Sequence, residues 1–192
     1  DKEGALAGYA DAARATRDPA QLERAVAIAL YAGRYEVARE LAALWEQSAQ
    51  DLAPQRARAW AELGAGDEAA AQTSLLRLLA AGAAGRRAAF EVLQAAELRK
   101  LATRLLPVLK GGAPPEDFVA AAQWVAQAEA MDAEELALAW SAELVQAHRR
   151  EARAWRLRAQ VLLAYQQSLA ARDALAKAVE LAPEDEDLRL AM

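Results

Sequence analysis

Catalysis would require a nucleophile, a base and an orienting acid close together, and the sequence offers little from which to assemble them. It contains one histidine, His148, and four serines, Ser48, Ser74, Ser141 and Ser168. A hydrolytic triad would have to gather around His148, and nothing next to it supplies the other members. Followed by Arg149 and Arg150, His148 reads instead as a helix-end cation, where basic groups offset unpaired carbonyls. The carboxylate pairs Glu116-Asp117 and Glu134-Glu135 fall at expected helix starts, as solvated partners of the helix dipole. A di-metal bundle needs a glutamate-x-x-histidine motif on two helices, and a single histidine cannot provide it. With no cysteine, the chain has no thiolate zinc site, disulfide or cysteine nucleophile. The segment "KGGAPPED" has two glycines but lacks the strand and the lysine-serine/threonine of a phosphate loop. The sequence therefore predicts no enzyme, no cofactor and no metal.

The 192 residues suffice for one sizeable domain or a string of small units. Hydrophobic residues make up 55% of the chain, yet mean hydropathy is only -0.08, because alanine supplies much of that fraction and aromatics are 6%. Such a composition favours helix over strand. A net charge of -5 argues against general nucleic-acid binding, which calls for a basic face, so nucleic acid is not an expected partner. No apolar run approaches the ~18–20 residues that cross a bilayer as a helix. The chain opens at Asp1 without methionine and ends where another helix begins, which reads as a processed chain or an excised piece.

Apolar residues recur at helical spacing, with glycine, proline or aspartate interrupting about every dozen residues. The pattern predicts helices near 3–16, 19–32, 35–49, 54–64, 67–81, 85–96, 98–110, 115–129, 133–148, 151–166, 169–181 and 184–192. Asp18-Pro19, Asp67 and Pro114-Pro115 mark starts; Gly33, Gly82, Gly111-Gly112 and Pro183 mark stops. Pro107 should kink or shorten its helix. A small residue early in each second helix gives Ala38, Ala71, Ala102, Ala137 and Ala171, spaced by 33, 31, 35 and 34 residues. Seven positions beyond each stand Trp45, Leu78, Leu109, Leu144 and Ala178, all apolar. The register is plainer at the two ends than between 83 and 137.

In the last unit Trp155, Ala159, Leu162, Ala171, Leu175, Ala178 and Pro183 fall at the spacing of the tetratricopeptide repeat, which they resemble, with Arg158 departing from an expected leucine. "AGRYEVARELAALW" is similar to the family's inter-helix turn and second helix through Gly33, Tyr35 and Ala38. The resemblance implies an all-α, right-handed superhelical solenoid of antiparallel helix pairs. It would form one domain over 1–192 with units about 19–51, 52–82, 83–117, 118–151 and 152–185, partial helices at both ends and roughly 12 helices. The bland alternative is a generic alanine-rich bundle.

A solenoid of this kind lines its concave groove with the first helix of each pair, where a partner protein or peptide binds. The register places Glu23 and Tyr31, Arg56 and Trp60, Arg87 and Glu91, and Arg153, Arg156, Gln160 and Leu163 on that strip. Arginine and tryptophan carry much interface energy, although the arginines fit a solvated face as well, and Trp60 fits core as well as groove. Trp45, Trp124, Trp140 and Trp155 read as packing. The carboxylate clamp of heat-shock co-chaperones uses two asparagines, and the chain has none.

A narrower resemblance lies in "ARATRDPAQLERAVAIALYAGRYEVARELAALW". Thr16, Asp18-Pro19 and Glu23-Arg24-Ala25 look like the early repeats of bacterial outer-membrane tetratricopeptide lipoproteins. It implies an adaptor that holds a carboxy-terminal processing protease and its substrates in the periplasm, with a lipid anchor outside this chain. Self-association through stacked ends, or a cytoplasmic regulatory domain, are the alternatives.

Overall fold

The computed structural model describes residues 2–95, 98–111, 116–186 and 188, with side chains from residue 7 onward. Among them all regular structure is helical: α1 (Lys2–Thr16), α2 (Pro19–Tyr31), α3 (Tyr35–Glu46), α4 (Ala53–Ala65), α5 (Glu68–Ala80), α6 (Gly82–Leu93), α7 (Arg99–Lys110), α8 (Phe118–Ala130), α9 (Glu134–Ala147), α10 (Ala152–Ala164) and α11 (Ser168–Leu181). Short polar residues set several starts. The carboxylates of Asp18, Asp67 and Asp117 accept the amides of Gln21, Ala70 and Ala120 at 2.9–3.1 Å, satisfying donors that the helix leaves free.

One turn joins the helices within a hairpin. Gly33, Gly66, Asp132 and Gln166 each have a left-handed backbone, with φ of 68°, 79°, 53° and 60°. The next amide then reaches back to the last helical turn: Arg34 to the Ala29 carbonyl, Asp67 to Glu62, Ala133 to Ala128 and Gln167 to Leu162, at 2.8–3.0 Å. This closure satisfies carbonyls that would otherwise lack donors. All four residues stand five positions before a marker alanine, and each of the five markers is the fourth residue of its helix. Ala38, Ala71, Ala102, Ala137 and Ala171 are all 0% exposed, and the residues seven further on, from Trp45 to Ala178, are buried too. The repeat register therefore runs through the middle of the chain, and the fold is all-α, built from tetratricopeptide-like helix pairs.

The chain falls into two compact units, residues 1–105 and 106–192. In the first, each helix from α1 to α5 packs on the next, and α1 with α3, α2 with α4 and α4 with α6 also touch. One core there joins Ala10 and Ala13 of α1, Leu22 and Val26 of α2, Leu41 and Trp45 of α3, and Ala57 of α4. In the second, α8 packs on α9, α9 on α10 and α10 on α11. Ala159, Leu162, Ala171, Ala174 and Leu175 form its terminal core, with Leu138 and Trp155 against it. Alanine lets the helices close in, and larger side chains fill the remaining volume.

Some expectations need correction. α6 begins at Gly82, not 85, because Gly82, with φ of 79°, both ends α5 and opens the next helix. Gly85 then sits where a Cβ would lie 2.0 Å from the Leu78 carbonyl oxygen. Pro107 does not shorten α7, which continues to Lys110, the Pro107 carbonyl accepting the Gly111 amide. Eleven helices are present among the described residues. The start signal at Pro114-Pro115, the stop at Gly112 and most of the twelfth helix, 184–192, lie outside them.

Candidate partner-binding face

The even-numbered helices turn one side inward and leave the other to solvent. Measured from each marker alanine, the position fifteen earlier is Glu23, Arg56, Arg87, Ala122 or Arg156, and all but half-buried Ala122 are exposed. The position eleven earlier is Ala27, Trp60, Glu91, Ala126 or Gln160, exposed except for half-buried Trp60. Trp60 thus stands apart: it is half-buried where its counterparts face solvent. Trp45, Trp124 and Trp140 are buried, and half-buried Trp155 donates its indole N–H to the Arg149 carbonyl at 2.9 Å, as packing residues do.

In the first unit a cleft of about 430 Å³ opens between α4 and α6, lined by Asp51, Leu52, Ala53, Arg56, Ala84, Arg87, Ala88 and Glu91. Three residues expected on the strip, Arg56, Arg87 and Glu91, meet there. Arg56 Nη1 lies 2.7 Å from Glu91 Oε2, bridging neighbouring repeats, whereas Arg87 has no carboxylate partner among the described residues. The Asp51 carboxylate accepts the Ala53 amide at 3.0 Å and so serves the start of α4. Tyr31, at the end of α2, is 96% exposed and does not line this cleft.

In the second unit Arg153, Arg156, Gln160 and Leu163 form an exposed stripe along α10, with Leu163 52% exposed. Arg153 is held at its base, its guanidinium 3.9 Å from the centre of the Phe118 ring and its Nε 2.5 Å from Glu151. Glu151 also meets His148 Nδ1 at 2.9 Å, and these two partners, Arg153 first, hold its carboxyl below the usual carboxylate range. His148 caps α9, as a helix-end residue should, but its ring is largely covered and lies T-shaped to that of Phe118, with the centroids 5.3 Å apart. Arg156 has no such partner among the described residues.

Two arginines escaped sequence reasoning as a pair. Arg58 and Arg158 stand thirteen positions before their markers, where an apolar residue is usual, and each clasps the preceding odd helix. Arg58 bonds Glu62 at 2.8 Å and Glu46 of α3 at 3.4 Å; Arg158 donates to the Leu138 carbonyl and to Ser141 Oγ of α9 at 2.5 and 2.7 Å. The Glu62 bond, above all, raises the Arg58 pKa, whereas burial lowers that of Arg158. Glu62, 1% exposed, takes a position that is apolar in the other repeats, and the coincidence of Arg58 with Glu62 four residues on was the available signal.

No protein-family model matches the chain, and no curated protein matches it. Among solved structures, it is similar to YrrB, a TPR protein with an unusual peptide-binding site, at 18% identity over 95% of this chain and 96% of that one, with a TM-score of 0.45. It is similar to TTC0263, a thermophilic TPR protein of Thermus thermophilus, at 20% identity over 91% and 96%, TM-score 0.45. A tetratricopeptide repeat protein of Parabacteroides merdae shares 15% identity over 98% of this chain and 75% of its own, TM-score 0.41.

Proposed function

We propose that the chain is a binding scaffold that holds a partner protein or peptide along the outer side of its even-numbered helices. The observation that carries this reading is the recurrence of an exposed arginine, Arg56, Arg87 and Arg156, fifteen positions before three of the five markers, the first two lining the α4/α6 cleft. Large polar and aromatic groups on a rigid helical frame give contact area and directed hydrogen bonds at small entropic cost. Reversing Arg87 and Arg156, both exposed and without a carboxylate partner among the described residues, to glutamate should deplete specific, mass-spectrometrically identified proteins from an affinity capture while leaving helicity and the unfolding midpoint unchanged. Unchanged recovery of every protein contradicts the proposal.

The narrower reading, an adaptor for a carboxy-terminal processing protease in the periplasm at the outer membrane, draws on the likeness of Thr16 to Ala25 to lipoprotein repeats. In this chain those residues build a corner: Thr16 Oγ1 lies 3.0 Å from the Ala12 carbonyl and from Gln21 Oε1, and Asp18 caps α2. Co-elution of the chain with a purified protease of that class tests the assignment, and independent migration contradicts it. Self-assembly is the competing use of the fold, and it predicts a mass that falls on dilution.

A further inference from the structure

Four charged side chains line the α4/α6 cleft, and their charges cancel: Arg56 and Arg87 against Asp51 and Glu91. They are not equally engaged. Arg56 Nη1 meets Glu91 Oε2 at 2.7 Å, so those two charges already serve each other. Arg87 has no carboxylate partner among the described residues. Asp51 has no cation partner among them, its carboxylate accepting the uncharged Ala53 amide at 3.0 Å. Asp51 stands just before α4 and Arg87 lies in the second turn of α6, so one unpaired anion and one unpaired cation border a common space from two helices. Leu52, Ala53, Ala84 and Ala88 supply its apolar walls, and its volume of about 430 Å³ suits a small molecule.

We propose that this cleft binds a free α-amino acid with an alkyl side chain, its carboxylate on Arg87 and its ammonium on Asp51. A ligand of one sign serves one of the two unpaired groups and is repelled by the other; a zwitterion serves both. The forked N–H donors of Arg87 match a carboxylate. An ammonium has three donors, and Asp51 has acceptor capacity beyond the Ala53 amide. Because an α-amino acid carries both charges on one carbon, its whole side chain is left to lie against the leucine and alanine walls, where burial removes apolar area from water. A residue inside a polypeptide has neither charge at its α-carbon, so this site is distinct from capture of a chain along the helices. Both charged groups are exposed, which makes each bond weak alone and sets the affinity at about millimolar.

The test is titration of the isotope-labelled full chain with leucine, read by amide NMR. Saturable shifts should gather at the Ala53, Ala84 and Ala88 amides. Asp51→Asn keeps an oxygen for the Ala53 amide and removes the charge; this variant and Arg87→Gln should each weaken leucine about fivefold, the effect of losing one exposed charged contact. Isocaproate, which is leucine without its amine, should bind wild type more weakly than leucine does, and should bind Asp51→Asn more tightly than wild type. Isoamylamine, which lacks the carboxylate, should likewise prefer Arg87→Gln. Shifts that do not saturate, that lie outside the cleft or that persist undiminished in both variants overturn the proposal, as does equal affinity for leucine and isocaproate. Tighter binding of leucine's straight-chain isomer with the amine at the far end also overturns it, because the two charges would then stand too far apart for one α-carbon to bridge. Absence of any response to leucine removes this site and leaves the scaffold reading standing, since the capture experiment for that reading does not involve Asp51.

Discussion

Arg58 and Arg158 show how one repeat position can hold the same residue for different reasons. Glu62 is almost wholly buried, with Oε2 lacking a hydrogen bond, so Arg58 supplies most of what compensates its charge. Arg58→Leu leaves that carboxylate stranded and should cost about 2–3 kcal/mol in denaturant unfolding, with Glu62→Leu added to it restoring most of the loss. Arg158 faces no carboxylate among the described residues, and Ser141 Oγ keeps its contacts with the Ala137 and Leu138 carbonyls without it. Arg158→Leu should therefore change stability by less than about 1 kcal/mol. Gln166 pays for its left-handed backbone, since a Cβ crowds the neighbouring carbonyl there; Gln166→Gly should stabilise by about 0.5–1 kcal/mol, seen as a higher denaturation midpoint. Burial raises the Glu129 carboxyl pKa. A group raised in the folded state gives its stabilisation in full below its ordinary pKa and loses it as pH rises through the folded-state value. Glu129→Gln should accordingly be more stable than wild type at neutral pH, with the gain vanishing in acid; a gain constant with pH would contradict this account.

At the scale of the helix, the marker alanines carry the packing. Ala102, in the segment where sequence similarity is weakest, is as buried as Ala38 or Ala171. Ala102→Leu should strain its hairpin by about 1–3 kcal/mol, as Ala171→Leu should at the chain's other end. A small effect at 102 alone would mean that the third hairpin is packed differently. Odd-numbered helices are also tied by ion pairs: Arg14 to Glu40 and Arg39 to Asp67 at 2.9 and 3.4 Å, Arg104 to Glu68, and, within the second unit, Lys110 to Glu143 at 2.5 Å. Arg14, chiefly by its hydrogen bond, holds Glu40 below the usual carboxylate range, so this contribution is present at neutral pH and fades as acid titrates Glu40. The helices were legible in the sequence because glycine, proline and capping aspartate punctuate them. The turns at Asp132 and Gln166 were not, because neither residue type announces a positive φ as glycine does at 33 and 66.

For the molecule as a whole, the spacing of five alanines gave the architecture, since a small buried residue once per hairpin is a requirement of close helix approach. Along the outer strip, spacing assigns positions and says nothing of states. Spacing put Arg56, Arg87 and Glu91 on one side, but that Glu91 occupies Arg56 while Arg87 is left over depends on side-chain geometry across two repeats. Arg153 likewise looked free in sequence and is leaned on Phe118, a contact between residues far apart in the chain. The shared register rests on five protected markers and, eleven residues before four of them, an exposed position. The native chain has no cysteine, so single cysteines can read it out directly by thiol modification under native conditions. Ala27→Cys, Glu91→Cys and Gln160→Cys should react promptly, while Ala38→Cys, Ala71→Cys, Ala102→Cys, Ala137→Cys and Ala171→Cys should react only as fast as their helices open. Modification of Ala102→Cys at the rate of Glu91→Cys would contradict the account.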